Sequence, residues 1–83
     1  MENIDVHIPK MGMSTVEVEV LAILVEIGQR VTGDDPVVEV EGDKAQFEVP
    51  AGISGTVVEI LVAEGQECMV GDIVARIAKT PEA

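Results

Sequence analysis

Short runs that alternate apolar and acidic side chains dominate the chain. Val16-Glu17-Val18-Glu19-Val20 alternates strictly, and Val38-Glu39-Val40-Glu41 does the same. A period of two places one face of a segment in a core and the other in water. Similar apolar or alternating runs predict strands near residues 4–8, 17–26, 37–41, 46–49, 55–62 and 73–77. Between them, Pro9, Gly12, Gly28, Gly33, Pro36, Gly42, Pro50, Gly52, Gly55, Gly65, Gly71 and Pro81 punctuate the chain. No segment holds a helical period long enough to compete. Closely spaced strands separated by turn residues predict an all-β fold, either a sandwich or a flattened barrel.

The pattern also repeats. A shift of 37 positions lays Ile23-Leu24-Val25 on Ile60-Leu61-Val62 without a gap, and Gly28-Gln29 on Gly65-Gln66. The same shift lays Asp35 on Asp72, Val37 on Val74 and Val40 on Ile77. Two copies are too few to stack as a solenoid. They predict a quasi-twofold fold in which two similar sheets face each other. What the repeat leaves out is the link between its halves, Glu41 to Ala51, with Gly42-Asp43-Lys44 at its centre. This segment reads as a β-hairpin with Asp43 and Lys44 at the turn. Because the second copy ends near the C-terminus, the hairpin tip is expected opposite the chain ends.

Composition narrows the picture. At 83 residues the chain makes one small domain, and such domains bury only about 60–65% of the surface exposed on unfolding. Residues 1–79 form that domain in this reading, with 80–83 a tail or the start of a linker. Its single cysteine excludes an internal disulfide, and no grouping of Cys and His suggests a structural metal. Phe47 is the only aromatic residue, so the core must be built from Val, Ile, Leu and Ala. Sixteen acidic residues against five basic give a formal net charge of −11, which repels phosphate backbones and anionic headgroups. Nucleic acid and membrane are thereby set aside as partners. No apolar stretch approaches the roughly 18–20 residues of a spanning helix, and residues 1–10 do not resemble a targeting peptide. The expected compartment is the cytoplasm.

Few residues carry chemistry. Lys44 stands out among three lysines, because Lys10 lies beside Pro9 and Lys79 near the C-terminus. On position alone it reads as an ordinary turn lysine. Cys68 aligns with Val31 in the repeat and reads as a small apolar core residue. His7 has no second His or Cys to complete a site. Ser14 and Ser54 sit in no nucleophile elbow, and Gly28 and Gly65 read as turn glycines, not phosphate loops. No acid–base pair, triad or metal cluster is visible, so the chain reads as non-catalytic by itself.

The string E-V-E-G-D-K-A-Q-F-E-V-P-A around Lys44 resembles the attachment hairpin of lipoyl domains from 2-oxo acid dehydrogenase acyltransferases, whose hallmark is D-K-A. Further matches are P-K-M-G at 9–12, V-E-I-G-Q-R-V at 25–31, G-T-V-V-E-I-L-V-A-E-G at 55–65 and V-G-D-I-V-A at 70–75. The resemblance spans about Ile4 to Ile77. Gly42 stands where the family commonly has Thr, Val18 replaces a common Gly, and Ile23 a common Trp. The resemblance implies a barrel-sandwich hybrid of two four-stranded sheets with quasi-twofold symmetry. It also implies lipoic acid joined by an amide to Lys44, with Gly42, Asp43 and Ala45 forming the supporting turn. The implied partners are a lipoate-attaching enzyme, a thiamine-dependent decarboxylase, an acyltransferase core and a flavin-dependent dihydrolipoamide dehydrogenase. Biotin carriers share the fold but usually place M-K-M around the lysine, and glycine-cleavage-type lipoyl carriers are usually longer. An unmodified interaction module of the same fold would need no lysine at the turn.

Overall fold

A computed structural model describes residues 2–10, 17–42 and 45–79. Its eight strands are β1 (Asn3–His7), β2 (Glu17–Ile23), β3 (Arg30–Val31), β4 (Pro36–Glu41), β5 (Gln46–Pro50), β6 (Gly55–Ile60), β7 (Glu67–Met69) and β8 (Ile73–Lys79). They form two four-stranded antiparallel sheets, ordered β1-β8-β6-β3 and β5-β4-β2-β7. Of the two architectures left open by the strand pattern, the fold is the sandwich, since the sheets do not close into a barrel. All six strands expected from periodicity are present. The two it missed, β3 and β7, are only two and three residues long, too short to display a period.

The 37-residue repeat is also a symmetry of the fold. Strands β2, β3 and β4 correspond to β6, β7 and β8 through the repeat, β5 takes the place of β1, and exchanging all four pairs converts one sheet order into the other. The exchange interlocks the halves. Short strand β7, from the second half, pairs with β2, while β3, from the first, pairs with β6. The turns before them complete the lock. Gly28 N–H donates to Val57 O at 2.7 Å, and Gly65 N–H donates to Val20 O at 2.7 Å. Val57 and Val20 in turn donate to the carbonyls of Gln29 and Gln66, each at 2.9 Å.

Local chemistry explains why each half turns in the same way. Gly28 and Gly65 adopt φ of 94° and 84°, a left-handed conformation that glycine enters without steric cost. In the first turn the Gln29 side chain accepts the Glu26 amide, and in the second Gln66 accepts that of Ala63. One step on, Asp35 accepts the Thr32 amide and Asp72 that of Met69, both at 2.9 Å. These side chains satisfy turn donors that the sheets cannot reach.

Four β-bulges follow the symmetry as well. Leu21 in β2 and Val58 in β6 have no cross-strand partner in the register with β4 and β8. Val37 and Val74 are the unmatched residues where β4 meets β5 and β8 meets β1. A bulge reverses the in–out alternation of the strand beyond it. Adjacent Val37-Val38 and Val74-Ala75 are therefore all buried. The core is aliphatic: Val20, Val37, Val38, Val40, Val57, Val74, Ala75 and Ile77 are fully enclosed, and no polar side chain is buried among the described residues. Phe47 packs at its margin.

Gly55, the counterpart of Val18, lies in β6 where the backbone of β8 passes closely. A Cβ there would collide with the carbonyl oxygen of Ala78 and the Ile77 side chain. Gly55→Ala is expected to destabilise the fold by about 1–3 kcal/mol, read as a lowered denaturation midpoint. An unchanged midpoint would show that β6 and β8 separate without cost.

Candidate functional site

The link between the halves is the hairpin of β4 and β5. Its lower part is anchored by Val38, Val40 and Val49, all buried, with Val40 opposite Phe47 and Val38 opposite Val49. Toward the tip, Glu41 pairs with Gln46, and Gly42 N–H donates to Ala45 O at 2.9 Å. Two residues of sequence, Asp43 and Lys44, join the closed ends. Both lie outside the described residues, as do Met11, Gly12, Met13, Ser14 and the tail from Thr80. Of the four residues expected at the site, the structure thus places Gly42 and Ala45, hydrogen-bonded across the turn's base.

Glu2 and Lys79 occupy the corresponding position of the other sheet. Lys79 N–H donates to Glu2 O at 2.9 Å, as Gly42 does to Ala45. The Gly42–Ala45 and Lys79–Glu2 pairs are thus related by the pseudo-twofold.

Charge breaks this symmetry. In the sheet of β1, β8, β6 and β3, Arg76 faces Asp5 on one neighbour and Glu59 on the other. It bonds Asp5 at 2.9 Å and Glu59 at 2.5 Å. These bonds, Glu59's first, hold the guanidinium even more firmly protonated than usual. The residue corresponding to Arg76 in the hairpin-bearing sheet is Glu39, which faces Glu48. Along their strands, β2, β4, β5 and β7 carry Glu17, Glu19, Glu39, Glu41, Glu48 and Glu67, with no Lys or Arg. The tip therefore rises from a strongly acidic face.

Outside the hairpin, reactive side chains are held in structural roles. Cys68 is buried in the core at the position of Val31. Desolvation, with a smaller contribution from the Asp72 charge, raises its thiol pKa, so it stays protonated and unreactive at neutral pH. His7 engages the Gly71 carbonyl through Nδ1 at 2.9 Å. Among the described residues no three His, Cys, Asp or Glu side chains converge as metal ligands. Sequence reasoning overlooked one contact near the turn, between Gln46 and Glu41. The hairpin expected from the sequence, with Asp43 and Lys44 at its turn, already sets Glu41 opposite Gln46; the structure adds the hydrogen bond between their side chains.

The family model for biotin–lipoyl attachment, described as "Biotin-requiring enzyme", matches residues 4–77. The chain is 40% identical over 73 residues to the dihydrolipoyllysine-residue acetyltransferase component of the pyruvate dehydrogenase complex of Corynebacterium glutamicum. That match covers 88% of this chain and 11% of the relative. Among solved structures it is similar to the lipoyl domain of the 2-oxoglutarate dehydrogenase complex from Azotobacter vinelandii. The TM-score there is 0.74 at 27% identity, covering 94% of this chain and 99% of that one. Urea carboxylase of Kluyveromyces lactis contains the same fold, with a TM-score of 0.79 at 24% identity over 94% of this chain and 6% of the carboxylase.

Because Cys68 and Val31 are interchangeable under the repeat, Cys68→Val is expected to change stability by less than about 1.5 kcal/mol. In the wild type, alkylation of the thiol at neutral pH should require denaturant. Rapid labelling of the native chain, followed by mass spectrometry, would contradict the buried assignment.

Proposed function

The chain belongs to the biotin–lipoyl attachment family, and we propose that it is a lipoyl carrier domain bearing its cofactor on Lys44. The observation that carries this reading is the two-residue connection between Gly42 and Ala45, into which the D-K-A motif places Lys44. The hairpin base fits the group. Gly42 and Ala45 are not buried, their strands are anchored in the core, and no other described element bonds to either residue's backbone. A long acylated side chain there meets solvent and approaching enzymes. The flanking Asp43 and Ala45, in place of the M-K-M of biotin carriers, favour lipoate over biotin.

The chemistry of attachment is an acyl transfer. Lys44 would hold the group through its neutral Nζ, taking the lipoyl acyl group from an activated carboxyl supplied by the modifying enzyme. The C–N bond would form as the bond to the leaving group breaks, the leaving group departing with the electron pair and the nitrogen giving up a proton to solvent. The product amide carries no charge. When bound, the lipoyl group supplies a strained disulfide able to undergo reductive acylation and reoxidation.

The protein's own contribution is presentation. A rigid sandwich supports the hairpin that carries the lysine, so tethering and effective concentration replace free diffusion between active sites. The chain spans less than a fifth of the length of the acetyltransferase relative it matches. We assign it, as part of the same reading, to a 2-oxo acid dehydrogenase-type complex in the cytoplasm. There it would be served by a lipoate-attaching enzyme, a thiamine-dependent decarboxylase, an acyltransferase core and a dihydrolipoamide dehydrogenase. The domain itself performs no catalysis in this scheme.

Expression with lipoate and a lipoate-attaching enzyme should add one lipoyl group, located on Lys44 by intact mass and peptide mapping. Lys44→Arg should abolish the addition while leaving the unfolding midpoint unchanged, because a turn side chain contributes little to the core. Modification of that variant would place the site elsewhere, and biotin on Lys44 would reassign the cofactor. Moving the lysine to position 43 or 45 should also prevent labelling, since adjacent hairpin positions point differently. Efficient labelling of either shifted variant would mean that the enzyme reads sequence more than geometry.

A further inference from the structure

One rung of the arm lacks a backbone cross-link. In an antiparallel ladder, hydrogen-bonded pairs alternate with pairs that share no backbone bond. Gly42 and Ala45 are bonded, so the next pair, Glu41 opposite Gln46, is the open rung directly below the turn. Side chains of such a pair stand closest together. Here Gln46 Nε2 donates to Glu41 Oε2 at 3.4 Å, linking the strands where the backbone does not.

The opposite flank of Glu41 explains why this link has a direction. Glu41 faces Glu19 on β2, and Glu19 faces Glu67 on β7. One row across the sheet thus reads Glu67, Glu19, Glu41, Gln46. Like charges placed directly opposite one another in a sheet repel. Repulsion from Glu19 drives the Glu41 carboxylate toward β5, where the Gln46 amide receives it. A carboxylate at position 46 would instead extend the row to four like charges ending beneath the turn.

We propose that Gln46 is a positioning residue for modification of Lys44, acting through its bond to Glu41 to hold the base of the attachment turn closed. The proposal rests on Lys44 being the attachment site. Gln46 touches none of the reacting atoms. Its bond to Glu41 holds both residues, and with them the Gly42–Ala45 base, in one arrangement, and the apparent affinity for a partner scales with the fraction of molecules in the competent geometry. Loss of the link therefore raises KM for the domain and leaves kcat nearly unchanged.

The test measures lipoate attachment to the 83-residue chain with a lipoate-attaching enzyme, lipoate and ATP, varying the chain concentration. Gln46→Ala is expected to raise KM about 3–5-fold and Gln46→Glu about 10-fold, with kcat within about twofold. Gln46→Lys, which can reach Glu41 as an ion pair, should restore KM to within about twofold of wild type. Unfolding midpoints should match wild type throughout. Hydrogen exchange of the Gly42 amide should quicken in the Ala and Glu variants and recover in the Lys variant. A wild-type KM, or an unchanged Gly42 exchange rate, in Gln46→Ala overturns the proposal. A wild-type chain that takes no lipoate on Lys44 overturns the attachment reading, and this inference with it.

Discussion

The reciprocal backbone bonding between the two halves is the constraint on which the rest of the molecule depends. Each half completes the other's sheet with a short strand, and each turn glycine donates to the central valine of the opposite half. Neither half can satisfy its own backbone groups alone, and an unpaired buried amide or carbonyl costs about as much as a lost hydrogen bond. The interlock also brings Val20 and Val57 to the middle of an aliphatic core that contains no aromatic anchor and no buried polar side chain among the described residues. In so small a domain, stability must come from how completely these valines are enclosed.

This architecture separates support from presentation. Four bulges and four side-chain-capped turns, two of each in either half, shape both sheets alike, so these features do not by themselves distinguish the two ends. The difference lies in what is added. At one position β4 and β5 are joined by two residues of sequence, one of them a lysine, while at its counterpart Lys79 bonds Glu2, residues far apart in the chain.

The two faces differ electrostatically for a related reason. Arg76 neutralises its neighbours on one sheet, whereas Glu39 occupies the equivalent position on the other and sits against Glu48. The internal repeat serves as its own control: the fold accommodates a compensated arrangement at this position, yet the hairpin-bearing sheet keeps like charges opposed. The acidic row beneath the turn makes an uncharged neighbour such as Gln46 matter more than an exposed glutamine ordinarily would.

Much of this was legible in the chain before any coordinates. Alternating valine and glutamate named the inward and outward faces of β2 and β4, the repeat implied the pseudo-twofold, and its alignment of Cys68 with Val31 placed the thiol in the core. These features survive in one dimension because the periodicity of a strand and the identity of a turn glycine are local properties. D-K-A between the repeats likewise marked Lys44, although Asp43 and Lys44 themselves lie outside the described residues. Only the tertiary structure decided the remainder. Strands β3 and β7 exist because the opposite half offers them partners, and the bulges at Leu21, Val37, Val58 and Val74 arise from register. Pairing and register are relations between segments distant in sequence, set by the shared burial of both halves, and no local run of residues encodes them.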